Sequence, residues 1–212
     1  MKEFEKKIYS QQGEDGIVDH IFEKIGTTNR VAVEFGVSAN SQSGLAGAES
    51  NTLNLAMQGW KTFWLDSEPI VQTPTNCIFR QVLLTPDNIC SVFKELEVPN
   101  EFDLLSIDVD GNDYHLRQSL KDYRPRVVIM EYNGSYDGDT EYIMPRNDSY
   151  RWRGDRLFGA SLLSMTKQAN NLGYDLVYCD QNGVNAFYVQ KDINCFPAQT
   201  SQQAYVQLFW TR

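Results

Sequence analysis

The chain has 212 residues and a formal net charge of −9 at pH 7. That length suits one domain over residues 1–212 with a sizeable core, and the acidity argues against broad contact with a nucleic-acid backbone. No run approaches the ~18–20 apolar residues that cross a membrane, and the opening MKEFEKKIYSQQGEDG lacks the apolar centre of a secretory signal. The four cysteines, Cys77, Cys90, Cys179 and Cys195, have no CxxC or paired metal-ligand spacing, so they read as reduced thiols of a cytoplasmic protein and argue against zinc.

In residues 14–25, Ile17, Val18, Ile21, Phe22 and Ile25 recur every three to four positions, one apolar stripe of a helix. Residues 31–35 (VAVEF) read as a buried strand ending at Gly36. A stretch rich in Ser, Gly, Ala and Asn follows (37–50), then a helix over 51–57 capped by Ser50 or Asn51. Strands are expected at 62–65, closed by Asp66, and at 77–83. Thr85-Pro86-Asp87 opens the next helix, with Thr at the cap and Pro at the first helical position. A strand at 103–107, a short helix and a strand at 126–132 come next, and the pattern then lapses over 134–159. A helix spans 160–172, with Leu162, Met165, Ala169 and Leu172 on one face and Gly173 ending it. The runs 174–179 and 184–190, joined by Asp180-Gln181-Asn182-Gly183, form a hairpin.

Strands alternating with helices imply right-handed crossovers and an α/β fold, a mostly parallel sheet covered by helices on both faces. The terminal hairpin makes the last strand antiparallel. No internal repeat, linker or low-complexity block divides the chain.

In such a sheet, ligands gather beyond the carboxyl ends of the strands, where strand order reverses. Three strands end in an acid: Glu34, Asp66 and Asp108. Glu34-Phe35-Gly36 lacks the GxGxxG that wraps a pyrophosphate, which disfavours NAD and FAD. An acid followed by a small-residue turn suits a ligand bearing an ammonium group and hydroxyls, and Asp66 is placed to accept hydrogen bonds from a ribose diol. Glu34 and Asp66 read equally as solvated strand ends when each is taken alone.

The runs YSQQGEDGIVDHIF, VAVEFGVSANSQSG, ESNTLNLAMQGWKTFWLD, FDLLSIDVDGNDYHL, RPRVVIMEYN and GVNAFYV resemble the FkbM-type branch of the class I S-adenosylmethionine-dependent methyltransferases, over residues 8–190. The resemblance implies a Rossmann-like three-layer sandwich, with a seven-stranded sheet whose last strand is antiparallel. It implies S-adenosyl-L-methionine as cofactor, with Glu34 and Gly36 at its methionine end, Asp66 on the ribose and Val82-Leu83 beside the adenine. Ser10, Gln11, Glu14, Asn51 and Thr52 would close the pocket. The loop after Gly36 departs from the pattern, carrying Val-Ser-Ala-Asn where many relatives have a second glycine or an acid.

The segment IDVDGND, residues 107–113, admits four readings. An EF-hand calcium loop fails on spacing, since counting from Asp108 puts Gly at the fourth place and Ser119 at the twelfth. Asp108-x-Asp110 also fits a metal and a nucleotide diphosphate in a glycosyltransferase. A purely structural reading has Gly111 turning the chain and Asp113 capping the next helix. In methyl transfer, Asp108, with Asp110 beside it, would orient or deprotonate an acceptor hydroxyl near the sulfonium. His115 serves either as that base or as a packed helix residue. Glu131 and Asn133 share one face at the end of the fifth strand. With Asp108 they offer oxygen ligands that suit Mg²⁺, or else they touch substrate or backbone directly.

Residues 134–159 are long for a structureless connection. They mix Tyr136, Tyr142, Tyr150 and Trp152 with Arg146, Arg151, Arg153 and Arg156. Aromatic faces and guanidinium forks suit a sugar or an anionic acceptor, which makes Tyr136, Arg146, Trp152 and Asn133 the candidate substrate contacts. A surface arm packed on the sheet or on a second subunit explains the composition as well. Residues 192–212 form a C-terminal extension that docks on the body or on a partner. The expectation is an S-adenosylmethionine-dependent O-methyltransferase acting on a small-molecule or glycan acceptor, the sugar resting on the resemblance. A metal-dependent nucleotide-sugar glycosyltransferase and a non-catalytic cofactor-binding module stand beside it. The sequence leaves the oligomeric state open.

Overall fold

A computed structural model describes residues 1–37, 49–70 and 72–208. Most of the small-residue loop after Gly36, and Phe209-Trp210 at the C-terminus, lie outside the described residues. In chain order the elements are α1 (Glu14–Ile25), β1 (Val31–Phe35), α2 (Leu53–Met57), β2 (Lys61–Asp66), β3 (Cys77–Gln81), α3 (Ile89–Glu95) and β4 (Glu101–Ile107). They continue with α4 (Asp113–Ser119), β5 (Arg124–Glu131), α5 (Leu162–Asn171), β6 (Tyr174–Cys179), β7 (Asn185–Gln190) and α6 (Ser201–Ala204). The strands form one seven-stranded sheet in the order β3-β2-β1-β4-β5-β7-β6. All neighbours are parallel except β7, which runs antiparallel to both β5 and β6. The expected α/β sandwich with an antiparallel last strand is the observed fold.

Period-two alternation sends side chains to two separate cores. Val33, Phe35, Leu105, Ile107, Val128 and Met130 pack under α3, α4 and α5. Ala32, Leu104, Val127, Ile129, Phe187 and Val189 pack under α1 together with Leu55 of α2. Glu34, Ser106 and Glu131 belong to this second face by alternation, so polar groups collect at its carboxyl end. All five residues of β1 are buried, as befits a strand between two neighbours and two helical layers.

Some helix starts differ from expectation. The helix expected at Thr85 starts at Ile89, because Thr85 and Asn88 engage each other: the Thr85 amide donates to Asn88 Oδ1 at 2.8 Å and the Asn88 amide to Thr85 Oγ1 at 3.3 Å. Pro86 therefore sits in a turn rather than in the helix. Helix α2 begins at Leu53, although the Ser50 hydroxyl still accepts from the Leu53 amide at 3.0 Å. The β6–β7 hairpin closes through Asp180, whose carboxylate accepts from the amides of Asn182, Val184 and Asn185. Gly183 there has φ +73°, and a Cβ on it would stand 2.5 Å from the Val206 carbonyl oxygen. The C-terminal extension, as far as residue 208, docks on the body: Tyr132 Oη donates to the Val206 carbonyl at 2.9 Å, and the Leu208 amide to that of Gly134 at 3.1 Å. Among the described residues no helix is long and apolar enough to cross a membrane.

Candidate active site at the carboxyl rim

Strand order reverses between β1 and β4, the place where an open parallel sheet holds ligands. A cleft of about 640 Å³ opens there, lined by Gly36 after β1, Asp66 ending β2, Val82 and Leu83 after β3, and Asp108 and Asp110 after β4. That volume is in the range of small-molecule sites. Gly36 has φ +72°, and a Cβ on it would lie 1.5 Å from the Asp108 carbonyl oxygen. Only glycine lets the ends of β1 and β4 approach so closely.

Asp108, Asp110 and Glu131 each offer a carboxylate oxygen, and these oxygens lie within 4.8 Å of one another. Burial, then the nearby charges of Asp113 and Asp110, pushes the Asp108 carboxyl well above its usual range. Burial, then Asp108, does the same to Glu131. Asp110 is raised by burial as well. Carboxylates this close in a desolvated rim do not all stay ionised without protons or a cation between them. Glu131 Oε2 is buried and has no hydrogen-bond partner. The oxygen-only donor set and that orphaned oxygen fit a hard divalent cation such as Mg²⁺.

The turn carrying these acids is built differently from its sequence reading. The left-handed residue is Asp110, at φ +60°. Gly111 is needed instead for close approach, since a Cβ there would stand 2.7 Å from Tyr150 Cδ1. Asp113 does not cap α4: its Oδ1 accepts from the Val109 amide at 2.8 Å and its Oδ2 from the Gly111 amide at 2.9 Å. Burial raises its pKa to about 6 against those hydrogen bonds.

Several expected site residues are engaged elsewhere. Glu34 is buried and accepts from Ser50 Oγ at 2.5 Å, from the Asn51 amide at 2.6 Å and from the Thr52 amide at 3.1 Å, with Thr52 Oγ1 as a further donor. It therefore pins the chain entering α2. Asn51 also reaches Ser106 Oγ at 3.0 Å, and its own Oδ1 is left unpartnered. Ser10 bonds Asp15 at the start of α1, Gln11 is exposed, and Glu14 accepts from Asn185 Nδ2 at 2.9 Å. None of these three lines the cleft. His115 Nε2 meets the Met144 carbonyl oxygen at 2.9 Å. Asn133 does not join the carboxylates: its Nδ2 donates to the carbonyls of Arg156 and Phe158, each at 2.9 Å, and its Oδ1 accepts from Ser135.

Within residues 134–159 a short stretch reaches the cleft, but not the side chains expected to touch substrate. Tyr136 stacks on Tyr142 with ring centroids 4.4 Å apart, Arg146 bridges Asp87 and Asp148, and Trp152 Nε1 donates to the Asp155 carbonyl. The cleft is lined instead by Asn147, Asp148, Tyr150 and Arg151, with Asn112 linking the two segments. Tyr150 and Arg151 carried the same aromatic and cationic signal in the sequence. Asn112 and Asn147 carried none.

No protein-family model matches the sequence, and no curated protein matches it. Solved structures do match the coordinates. The MycE methyltransferase from the mycinamycin biosynthetic pathway, in complex with Mg and SAH, superposes with a TM-score of 0.51 at 14% identity, over 81% of this chain and 47% of that one. Its complex with Mg, SAH and mycinamycin VI gives 0.50 at 15% identity, over 84% and 50%. The likeness is one of fold: the seven-stranded sheet with its antiparallel last strand matches a methyltransferase Rossmann-like fold. The chain spans about half the length of the MycE chains it matches. In an open parallel sheet ligands gather at the carboxyl rim near the switch point, and here that rim holds the cleft, with the three-carboxylate cluster at the ends of β4 and β5.

Proposed function

We propose that this protein is an S-adenosylmethionine-dependent O-methyltransferase of FkbM type, acting on a carbohydrate or glycosylated small molecule. One observation carries the reading: a cleft at the β1/β4 switch point has Asp66 at its β2 end and the Asp108/Asp110/Glu131 cluster at its other side. S-adenosylmethionine supplies an electrophilic methyl carbon on a cationic sulfonium. Asp66 accepts the ribose hydroxyls, while Val82 and Leu83 offer apolar surface to the adenine. Asp108 takes or holds the proton of the acceptor hydroxyl, a group too weakly nucleophilic when protonated. Asp108, Asp110 and Glu131 would hold Mg²⁺, which would supply Lewis acidity at that hydroxyl. Tyr150 and Arg151 face the cleft where an acceptor would lie. MycE has been crystallised with Mg and SAH, and with mycinamycin VI, which is consistent with this assignment.

Charge separates this reading from a nucleotide-sugar transferase. The lining carries Asp66, Glu68, Asp108, Asp110 and Asp148 against Arg151. Such a field attracts an adenosyl sulfonium and repels a diphosphate that brings no divalent cation with it. Thermal denaturation with added ligands tests it, because a ligand specific for the native state raises apparent stability. SAH is expected to raise the melting temperature; no response to SAH, together with stabilisation by a UDP- or GDP-sugar and Mn²⁺, would sink the reading. SAH binding without methyl transfer to any member of a glycan panel would point to a non-catalytic module.

A further inference from the structure

Asp113 shares the turn of the rim acids without being one of the three clustered carboxylates or a side chain that lines the cleft. Asp113 is fully buried, yet no basic side chain pairs with it among the described residues. Its two oxygens face two backbone amides, those of Val109 and Gly111, at 2.8 and 2.9 Å. These amides flank Asp110 on either side. Asp110 is held in the left-handed region at φ +60°, a conformation uncommon for residues other than glycine, though aspartate tolerates it better than most. In that conformation its carboxylate reaches the oxygens of Asp108 and Glu131. The next residue, Gly111, packs its Cα on the Tyr150 ring, so the turn cannot relax outward without displacing the insert.

We propose that Asp113 is a positioning residue: by clamping the amides on both sides of Asp110 it sets the geometry of the Asp108/Asp110/Glu131 cluster for a divalent cation. The proposal rests on reading that cluster as a cation site, a reading to which the buried Glu131 Oε2, without a hydrogen-bond donor, adds support. Two acceptor oxygens are required, since both partners are donors. Asn at 113 keeps the shape but turns an NH₂ toward one amide, donor against donor. Outer-sphere partners of metal ligands typically alter metal affinity about 10- to 100-fold when replaced.

The test uses the full chain and Mn²⁺ as probe, followed by electron paramagnetic resonance, with SAH affinity measured on the same samples. Asp113→Asn is expected to weaken Mn²⁺ binding about tenfold or more while SAH affinity stays within about twofold. Hydrogen exchange at the Val109 and Gly111 amides should speed up without a matching change in β1 or β5. Unchanged Mn²⁺ affinity in the variant, or no Mn²⁺ uptake by the wild type, would overturn the proposal. So would equal losses of Mn²⁺ and SAH binding, which would mark a general collapse of the rim. Wild-type protein that takes up Mn²⁺ but not SAH would instead remove the methyltransferase reading and leave the clamp standing. Should Asp113→Asn fail to fold, the wild type carries the test: its Val109 and Gly111 amides must be slow exchangers, and fast exchange there overturns the clamp.

Discussion

Asp103 and Glu131 are both carboxylates buried against the sheet, at opposite ends of it. Asp103, at the amino end of β4, accepts from the amides of Thr28, Asn29 and Arg30 and from Thr28 Oγ1, and Arg126 lies 3.4 Å away. Glu131, at the carboxyl end of β5, keeps an oxygen with no partner. The first fastens a turn; the second, on the proposed reading, holds a cation. Asp103→Ala should therefore cost about 2 kcal/mol of stability in urea unfolding, because it removes a buried acceptor shared by three turn amides, the Thr28 hydroxyl and Arg126. Glu131→Gln should leave stability unchanged or raise it in the same assay. Gly36→Ala meets both a left-handed φ and the Asp108 carbonyl oxygen, and should destabilise by at least ~2 kcal/mol. Asp66→Ala removes a charged acceptor from a half-buried strand end, with its carboxyl raised by burial. Calorimetry should show SAH affinity lower by roughly ten- to a hundredfold, the equivalent of one charge-assisted hydrogen bond, with little change in melting temperature.

At the scale of elements, the 108–113 turn does three things in six residues. It delivers two acids to the cluster, clamps itself through Asp113 and, through Asn112, holds the insert by Asp148 Oδ1 at 3.0 Å and the Asn147 amide at 3.1 Å. The acids were legible in the sequence because three carboxylates after an apolar run are expensive to place together. The division of labour among them was not, since it depends on which amides each oxygen meets. The insert shows the same limit. Its aromatics and arginines were legible, but Arg146 folds back on Asp87 and Asp148 at 2.5 and 2.6 Å while Tyr150 and Arg151 turn to the cleft. The Arg146 bridge is exposed, so Arg146→Ala should change unfolding free energy by less than about 1 kcal/mol. A larger loss would mean that the bridge supports the fold and not only the position of the insert.

At the scale of the molecule, the buried acids set how stability responds to pH. Burial raises the carboxyls of Glu34, Asp108 and Glu131, and takes Asp180 from 3.8 to about 6. A carboxyl raised in the folded state binds protons that the unfolded chain has already released. Its stabilising protonation is complete below the unfolded value and is lost as pH rises through the folded one. Without divalent cations, the melting midpoint should be higher near about pH 5 than near about pH 7.5, and Asp180→Asn should flatten the slope. A midpoint that climbs steadily over this interval would contradict the assignment.

The sequence by itself determined the order of strands and helices, the two-faced burial of the sheet, the antiparallel last strand and the presence of acids where strands end. These follow from periodicity and turn chemistry, which are local and survive in one dimension. Only the tertiary structure decided that Glu34 fastens a loop, that Asn133 and His115 hold backbone, and that Asp110 rather than Asn133 joins Asp108 and Glu131. A carboxylate or an amide is completed by whichever donors or charges come within about 3 Å. Here those partners arrive from distant parts of the chain, through crossovers that local pattern does not place.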